Sequence, residues 1–235
     1  MPTAIVLGVG PGLGASLARR FARAGWDIVL MARSDAGLTP VAREVESLGR
    51  RAFSVLVDAG DPVSVAAAFD SAKIALGAPD VLIYNAGAYQ RGSVIETSPE
   101  DFERCLRVNC TGAFFAVKQV LPDMLARGSG SILFTGATAS LRGSAGYACL
   151  AVGKFGLRAL AQSMARELGP SGVHVAHVVI DGQIDTPTLR ATAPDRAAET
   201  ALSPDAIAEA YWQLHVQEPT CWTFELDVRP RTERF

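Results

Sequence analysis

The chain reads as an α/β domain, a single doubly wound parallel sheet of about seven strands with helices on both faces. Three observations predict this. Short apolar, β-branched runs alternate with amphipathic segments from end to end. Those runs are continuously apolar, as parallel strands covered on both faces have to be. The first of them leads straight into Gly8-Val9-Gly10-Pro11-Gly12-Leu13-Gly14 and then a helical pattern.

The elements follow in order. Strand patterns occupy Ala4–Val9, Asp27–Met31, Ala52–Val57, Val81–Tyr84, Ser131–Thr135, His174–Ile180 and Thr223–Val228. Between them, apolar residues recur at helical spacing over Leu13–Ala24, Val41–Leu48, Pro62–Leu76, Pro99–Leu125, Tyr147–Leu168 and Pro204–Val216. Repeated βα units of this kind wind right-handed. Gly182–Leu202, rich in Pro, Thr and Ala, is expected to be a poorly patterned excursion. It follows the sixth strand, so it lies beyond the carboxyl ends of the strands, where ligands bind in such folds. No linker or short repeat divides the chain, so residues 1–235 are expected to form one domain with 182–202 covering a substrate.

Composition narrows the function. Hydrophobic residues make up 49% of the 235 and charged ones 20%, enough for a two-sided core. A net charge of −2 without runs of like charge gives nothing to attract a nucleic-acid backbone or an anionic membrane. Cys105, Cys110, Cys149 and Cys221 form no metal-binding or disulfide pattern, and buried or half-buried free thiols in a reducing compartment are expected. The run Ala4–Val9 is strand-length and leads into glycines, unlike a signal peptide, and no stretch reaches membrane-spanning length. A soluble, cytoplasmic protein is expected.

Gly8, Gly12 and Gly14 form G-x-x-x-G-x-G at the strand-to-helix turn, with Gly10 and Leu13 inside it. Glycines there let the backbone approach a pyrophosphate, while the helix start offers unpaired N–H groups and a positive dipole end. The strand before, the helix after and the βα alternation favour a dinucleotide site over a merely tight turn. At the end of the second strand stands Met31-Ala32-Arg33-Ser34. A carboxylate here would hold a ribose 2′-OH. Its absence, and the guanidinium of Arg33, fit a 2′-phosphate, so NADP(H) is expected over NAD(H).

These motifs, over about four-fifths of the chain, resemble the short-chain dehydrogenase/reductase family with its Rossmann-type sheet. The glycine turn is similar to that family's T-G-x-x-x-G-x-G, with Leu7 for Thr. Asp58 matches an adenine-contacting Asp, and Asn85-Ala86-Gly87 matches the end of N-N-A-G with Tyr84 at its first place. Asn109 matches the Asn that supports a catalytic water chain. Asp181-Gly182-Gln183-Ile184-Asp185-Thr186 resembles P-G-x-[IV]-x-T, which implies nicotinamide contacts from Gly182, Ile184 and Thr186. The resemblance also implies a homodimer or homotetramer built on Pro99–Leu125 and Tyr147–Leu168.

The departures fall on the chemistry. Lys154 sits where the family's Tyr-x-x-x-Lys places its Lys, but Leu150 stands in place of the Tyr and Ala137 in place of the usual Ser. Leucine neither donates nor accepts a proton, and losing a general acid typically costs about 10²–10⁴-fold in rate. Tyr147 lies nearly two helical turns before Lys154, roughly 10 Å along the axis and on the same side. Its Tyr-x₆-Lys spacing resembles the divergent enoyl-thioester reductases, although the glycine turn does not. A pocket-wall role for Tyr147 is the plain alternative. Lys154, the one Lys on the largely apolar helix Ala148–Leu160, is costly to bury without a partner, and a cofactor ribose would be one. Thr138 and Ser140 are the nearby hydroxyls. His174 and His177 are expected in the core, Trp212, Trp222 and Phe224 in C-terminal packing, and Asp181 and Asp185 as solvated loop carboxylates. The leading expectation is an NADP(H)-dependent oxidoreductase for a small or medium apolar substrate, reducing a carbonyl or a conjugated double bond. The alternative is a degenerate dinucleotide-binding sensor or scaffold.

Overall fold

The structure, a computed structural model, describes residues 1–233. Seven strands form one sheet: β1 (Thr3–Leu7), β2 (Asp27–Ala32), β3 (Ala52–Leu56), β4 (Val81–Tyr84), β5 (Gly130–Thr135), β6 (Val173–Ile180) and β7 (Glu225–Val228). Their order is β3-β2-β1-β4-β5-β6-β7, and every neighbouring pair is parallel. The connections reverse direction between β1 and β4. The ends of those two strands therefore diverge into a crevice, the place where this architecture binds ligands.

Among the described residues there are eight α-helices: α1 (Leu13–Arg23), α2 (Leu38–Ser47), α3 (Pro62–Leu76), α4 (Pro99–Leu106), α5 (Gly112–Arg127), α6 (Ala148–Leu168), α7 (Pro187–Thr192) and α8 (Pro204–His215). One face packs Leu17, Phe21, Val41, Ile207 and Tyr211 from α1, α2 and α8 against the strands. The other packs Phe69, Val117, Val120 and Leu157 from α3, α5 and α6. The inner strands are buried throughout, as their unbroken apolar runs require. At the edge, β3 exposes Ser54 and Leu56, because no neighbour covers its outer side. Trp212 packs edge-to-face on Phe21, with ring centroids 5.2 Å apart, and Trp222 stacks flat on His174 at 4.7 Å.

Two expectations need correction. Apolar spacing predicts one helix over Pro99–Leu125, but α4 and α5 are separated by a widened π-type turn over Arg107–Thr111. Side chains hold that turn open. The Tyr84 hydroxyl donates to the Val108 carbonyl at 2.5 Å, and Asn109 bonds across to Ala88. Gly112 lies so close beneath that a Cβ there would sit 2.2 Å from the Ala59 oxygen. Such single-turn insertions often mark functional sites, and they barely disturb apolar periodicity. The second correction concerns 182–202, which is more regular than expected. Thr186 caps α7 through its hydroxyl, Pro187 takes the first helical position, and Ile184 pairs with Leu202 in an isolated bridge.

Candidate active site

A cleft of roughly 250 Å³ opens at the crevice between β1 and β4, and Gly8, Gly10, Arg33, Asp58, Asn85, Ala86 and Gly87 line it. The glycines there serve different ends. Gly8 has φ +105°, and a Cβ on it would lie 2.4 Å from the Ala86 nitrogen. A Cβ on Gly14 would lie 2.5 Å from the Gly8 oxygen. These two let the turn close against β4 and α1. Gly10 meets nothing within 4 Å and faces the open cleft. Gly12 faces Thr186, whose methyl would be 2.6 Å from a Cβ, so the segment after β6 crosses over the turn. Gly12 also precedes Leu13 at the start of α1 without a side-chain cap, leaving that positive helix end for an anion.

Around the rim, Arg33 is exposed beside Ala32 and makes no hydrogen bond or ion pair among the described residues. Asp58 is fixed by the Gly60 amide, which donates to its Oδ1 at 2.8 Å. Asn85 acts as a staple: its Nδ2 donates to the Gly8 carbonyl at 2.8 Å, and its Oδ1 accepts from Thr135 Oγ1 at 3.0 Å. Both its polar atoms are thus committed to holding the strand ends together.

Behind the cleft, α6 carries Lys154 into the interior. The residue is 6% exposed, and its Nζ donates to the Thr135 carbonyl at 2.7 Å. Burial pulls its ammonium down to about 8. Asn109 is fully buried in the widened turn, its Nδ2 donating to the Ala88 carbonyl at 2.7 Å and its Oδ1 accepting from the Ala88 amide at 3.3 Å. Gly153, one residue before Lys154, lets α6 approach that turn; a Cβ there would be 2.7 Å from Asn109 Cβ.

Tyr147 immediately precedes α6 and is half-buried. Its ring lies 5.9 Å from that of Tyr89, and the Arg91 guanidinium sits 5.6 Å over it. No hydrogen bond joins it to Lys154 among the described residues. Leu150 is half-buried. The amide of Ala137 donates to Ser140 Oγ at 3.1 Å, turning that buried hydroxyl inward. Thr138 Oγ1 donates to Asp181 Oδ1 at 2.5 Å. Asp181 is therefore no solvated loop carboxylate: it is 6% exposed, and its Oδ2 lies 3.4 Å from Arg229 Nη1. Asp185, by contrast, is paired at the surface with Arg190. Gly182, with φ +144°, runs beneath Leu202 and Pro230, each of which would be 3.0 Å from a Cβ.

His174 and His177 are core residues. His177 is buried with Nδ1 3.1 Å from Glu225 Oε2, and Glu225 in turn receives two hydrogen bonds from Arg158 at 2.6 and 2.7 Å. Burial outweighs that carboxylate and pulls the imidazole down to about 4. Cys105 and Cys149 are buried and Cys110 half-buried, whereas Cys221 is exposed; all four are free.

The widened turn, the Thr138–Asp181 pair and the Arg158–Glu225–His177 cluster escaped sequence reasoning. Asp181 itself stood out as a departure from the expected Pro, but nothing local pairs it with Thr138. Among the described residues, no group of three or more His, Cys, Asp or Glu side chains is placed to hold a metal ion. No helix there is long and apolar enough to cross a membrane.

Known proteins share this arrangement. The family model described as short chain dehydrogenase matches residues 2–197. Oxidoreductase UcpA of Escherichia coli is 33% identical over 192 residues, covering 81% of this chain and 72% of that protein. A short-chain dehydrogenase structure from Rhodopseudomonas palustris superposes with a TM-score of 0.84 at 39% identity, covering 97% of this chain and 98% of that one. An alcohol dehydrogenase from Thermococcus sibiricus, complexed with 5-hydroxy-NADP, gives a TM-score of 0.90 at 28% identity, covering 100% of this chain and 98% of that one. With its sheet order, its glycine turn and a family match over most of its length, the chain belongs to the short-chain dehydrogenase family.

Proposed function

We propose that the cleft holds NADP(H) and that the chain is an oxidoreductase for a small or medium apolar substrate. The observation that carries this reading is the cleft itself, open at Gly10 and flanked by Arg33, a cation with no ion-pair partner among the described residues. The 5-hydroxy-NADP in the Thermococcus sibiricus structure supports the same cofactor class. In this reading Gly8, Gly10, Gly12, Leu13 and Gly14 receive the pyrophosphate at the α1 N-terminus. Arg33 meets the 2′-phosphate, Asp58 the adenine, and Asn85, Ala86 and Gly87 form the floor. Lys154, Gly182, Ile184 and Thr186 hold the nicotinamide end, and residues 182–202 cover the substrate. The bound nicotinamide supplies or accepts the hydride.

The substrate-side groups are Thr138, Lys154, Asn109 and Tyr147. Asn109 holds Ala88 and the α6 contact in place, and Lys154 supplies the positive charge. Tyr147, packed on Tyr89 and Arg91, walls the pocket. That placement favours carbonyl–alcohol exchange over the enoyl reduction suggested by Tyr-x₆-Lys spacing. Phe114 on α5 and Val152 and Phe155 on α6 are 46%, 43% and 43% exposed. These apolar side chains form the face through which copies of the chain would associate into a homodimer or homotetramer.

Leu150 and Ala137 favour a second reading, a dinucleotide-binding sensor or scaffold without turnover. Fluorescence titration with NADPH and NADH tests the first half. Arg33→Ala is expected to weaken NADPH about 10–100-fold, the worth of a charge-assisted hydrogen bond, and to leave NADH nearly unchanged. Equal losses for both would remove the 2′-phosphate assignment. Nicotinamide absorbance against ketones, quinones and enoyl thioesters tests the second half. NADPH binding without turnover across that panel would favour the sensor.

A further inference from the structure

At the carboxyl end of β5 stand three hydroxyls, beside Asp181 at the end of β6, and the structure sorts them. Thr135 is buried, its Oγ1 shared between Asn85 and the Tyr211 hydroxyl, 2.8 Å away. Ser140 is fully buried, and its oxygen accepts from the Ala137 amide. Thr138 remains half-exposed, and its proton is already committed. It donates to Asp181 Oδ1 at 2.5 Å, while the other carboxylate oxygen of Asp181 faces Arg229 at 3.4 Å. The ion pair fixes the sense of that hydrogen bond, because a carboxylate held by a guanidinium accepts and does not donate. Thr138 Oγ1 is thereby left with lone pairs only.

We infer that Asp181 makes Thr138 an acceptor-only contact, so that the site selects a neutral ligand bearing a hydroxyl over its carbonyl counterpart. The inference rests on the dinucleotide reading above and adds to it the redox form of the substrate that binds best. An alcohol O–H finds a waiting lone pair on Thr138. A ketone oxygen in the same place meets another oxygen with no proton between them, and neither acceptor gains the hydrogen bond that the alcohol makes. The selection belongs to the Thr138–Asp181 pair: Thr138 touches the substrate and Asp181 is a positioning residue.

The test uses complexes that do not react: NADPH with an alcohol, and NADP⁺ with a ketone. Cyclohexanol with cyclohexanone, and 1-phenylethanol with acetophenone, serve as probes on the full chain, with affinities read by calorimetry. The wild-type protein should bind the alcohol of at least one pair about 10-fold or more tightly than the ketone. Thr138→Ser should retain that preference and Thr138→Val should abolish it. Asp181→Asn should shift it toward the ketone, because an amide N–H facing Thr138 releases the hydroxyl proton for donation. Thermal melts confirm that each variant is folded. A wild-type preference for the ketone, failure of every probe to bind the loaded protein, or an alcohol preference unmoved in Thr138→Val overturns the inference while leaving dinucleotide binding in place. Absence of NADPH and NADP⁺ binding overturns the underlying reading itself, and the inference with it.

Discussion

Replacing Lys154 by Met should make the ligand-free protein more stable. The ammonium is buried, with the Thr135 carbonyl as its hydrogen-bond acceptor, and burial lowers it from 10.5 to about 8. That difference corresponds to about 3 kcal/mol working against folding while the amine is charged. Below pH 8 both folded and unfolded chains carry the proton, so the full penalty stands. Between pH 8 and 10.5 the folded amine is neutral and the unfolded one still protonated, and the penalty fades; above 10.5 it is gone. Methionine fills a similar volume, removes the charge and forfeits one hydrogen bond, about 1 kcal/mol. The net gain at pH 7 is about 2 kcal/mol, a rise in Tm of about 4–8 °C for a domain of this size. Melts followed by circular dichroism from pH 7 to 10 should show the gap between variant and wild type closing as pH rises. Saturating NADPH should raise the wild-type Tm by more than it raises the variant's. A variant that melts at or below the wild type at pH 7, or a gap independent of pH, would refute the reasoning.

Gly8→Ala forces a side chain into φ +105° and against the Ala86 backbone, and should cost at least about 2 kcal/mol in urea unfolding. Gly10→Ala, with open space around it, should unfold like the wild type yet bind NADPH more weakly; equal stability losses in both would contradict the division of roles. His177, held near 4 when folded, refuses a proton that the unfolded chain accepts below about 6.5. Its contribution is therefore intact above pH 6.5 and lost as pH falls toward 4, up to about 3 kcal/mol. His177→Gln should flatten the acid limb of stability, and unchanged urea midpoints across pH 4–7 would count against it. Installing Leu150→Tyr together with Ala137→Ser should raise ketone reduction about 10²–10⁴-fold if the scaffold is otherwise in register. A protein that binds NADPH but gains no turnover would show that more than two hydroxyls are missing.

The sheet was legible because its signals are local. Six of its strands announce themselves as apolar runs bounded by glycine or polar residues, and the turn at Gly8 marks the first βα crossing. The cleft was legible for the same reason: apart from Val108, its lining comes from residues at or directly after the ends of β1, β2, β3 and β4, where strand ends locate them. What stayed hidden depends on contacts between distant residues. The widened turn at Arg107–Thr111 needs Tyr84 and Gly112 to face each other across the fold. Asp181 changes from a solvated carboxylate to a buried one because β5 and β6 are adjacent and Arg229 returns from beyond β7. The cap at Thr186 was local, and the Thr186-Pro187 pair is a helix-start signal that the irregular composition of 182–202 obscured.

The site's residues differ in what their presence can prove. Gly8, Gly14 and Asn85 are explained by folding alone: two glycines permit a close approach, and an amide ties β4 to the turn and to Thr135. Asn109 likewise satisfies Ala88 and holds the widened turn. None of these, however well it matches a motif, separates a working dinucleotide site from an inherited shape. Lys154 bears on that question more directly, because burial of its ammonium opposes folding. Arg33 is a weaker case of the same kind, since an exposed cation costs little. A group that destabilises the empty protein and is compensated only by a bound one carries information about the ligand. The loss of the two usual hydroxyls does not touch that argument, because Leu150 and Ala137 replace groups that act on the substrate. In the proposed reading Arg33 serves binding alone, whereas Lys154 serves both binding and chemistry.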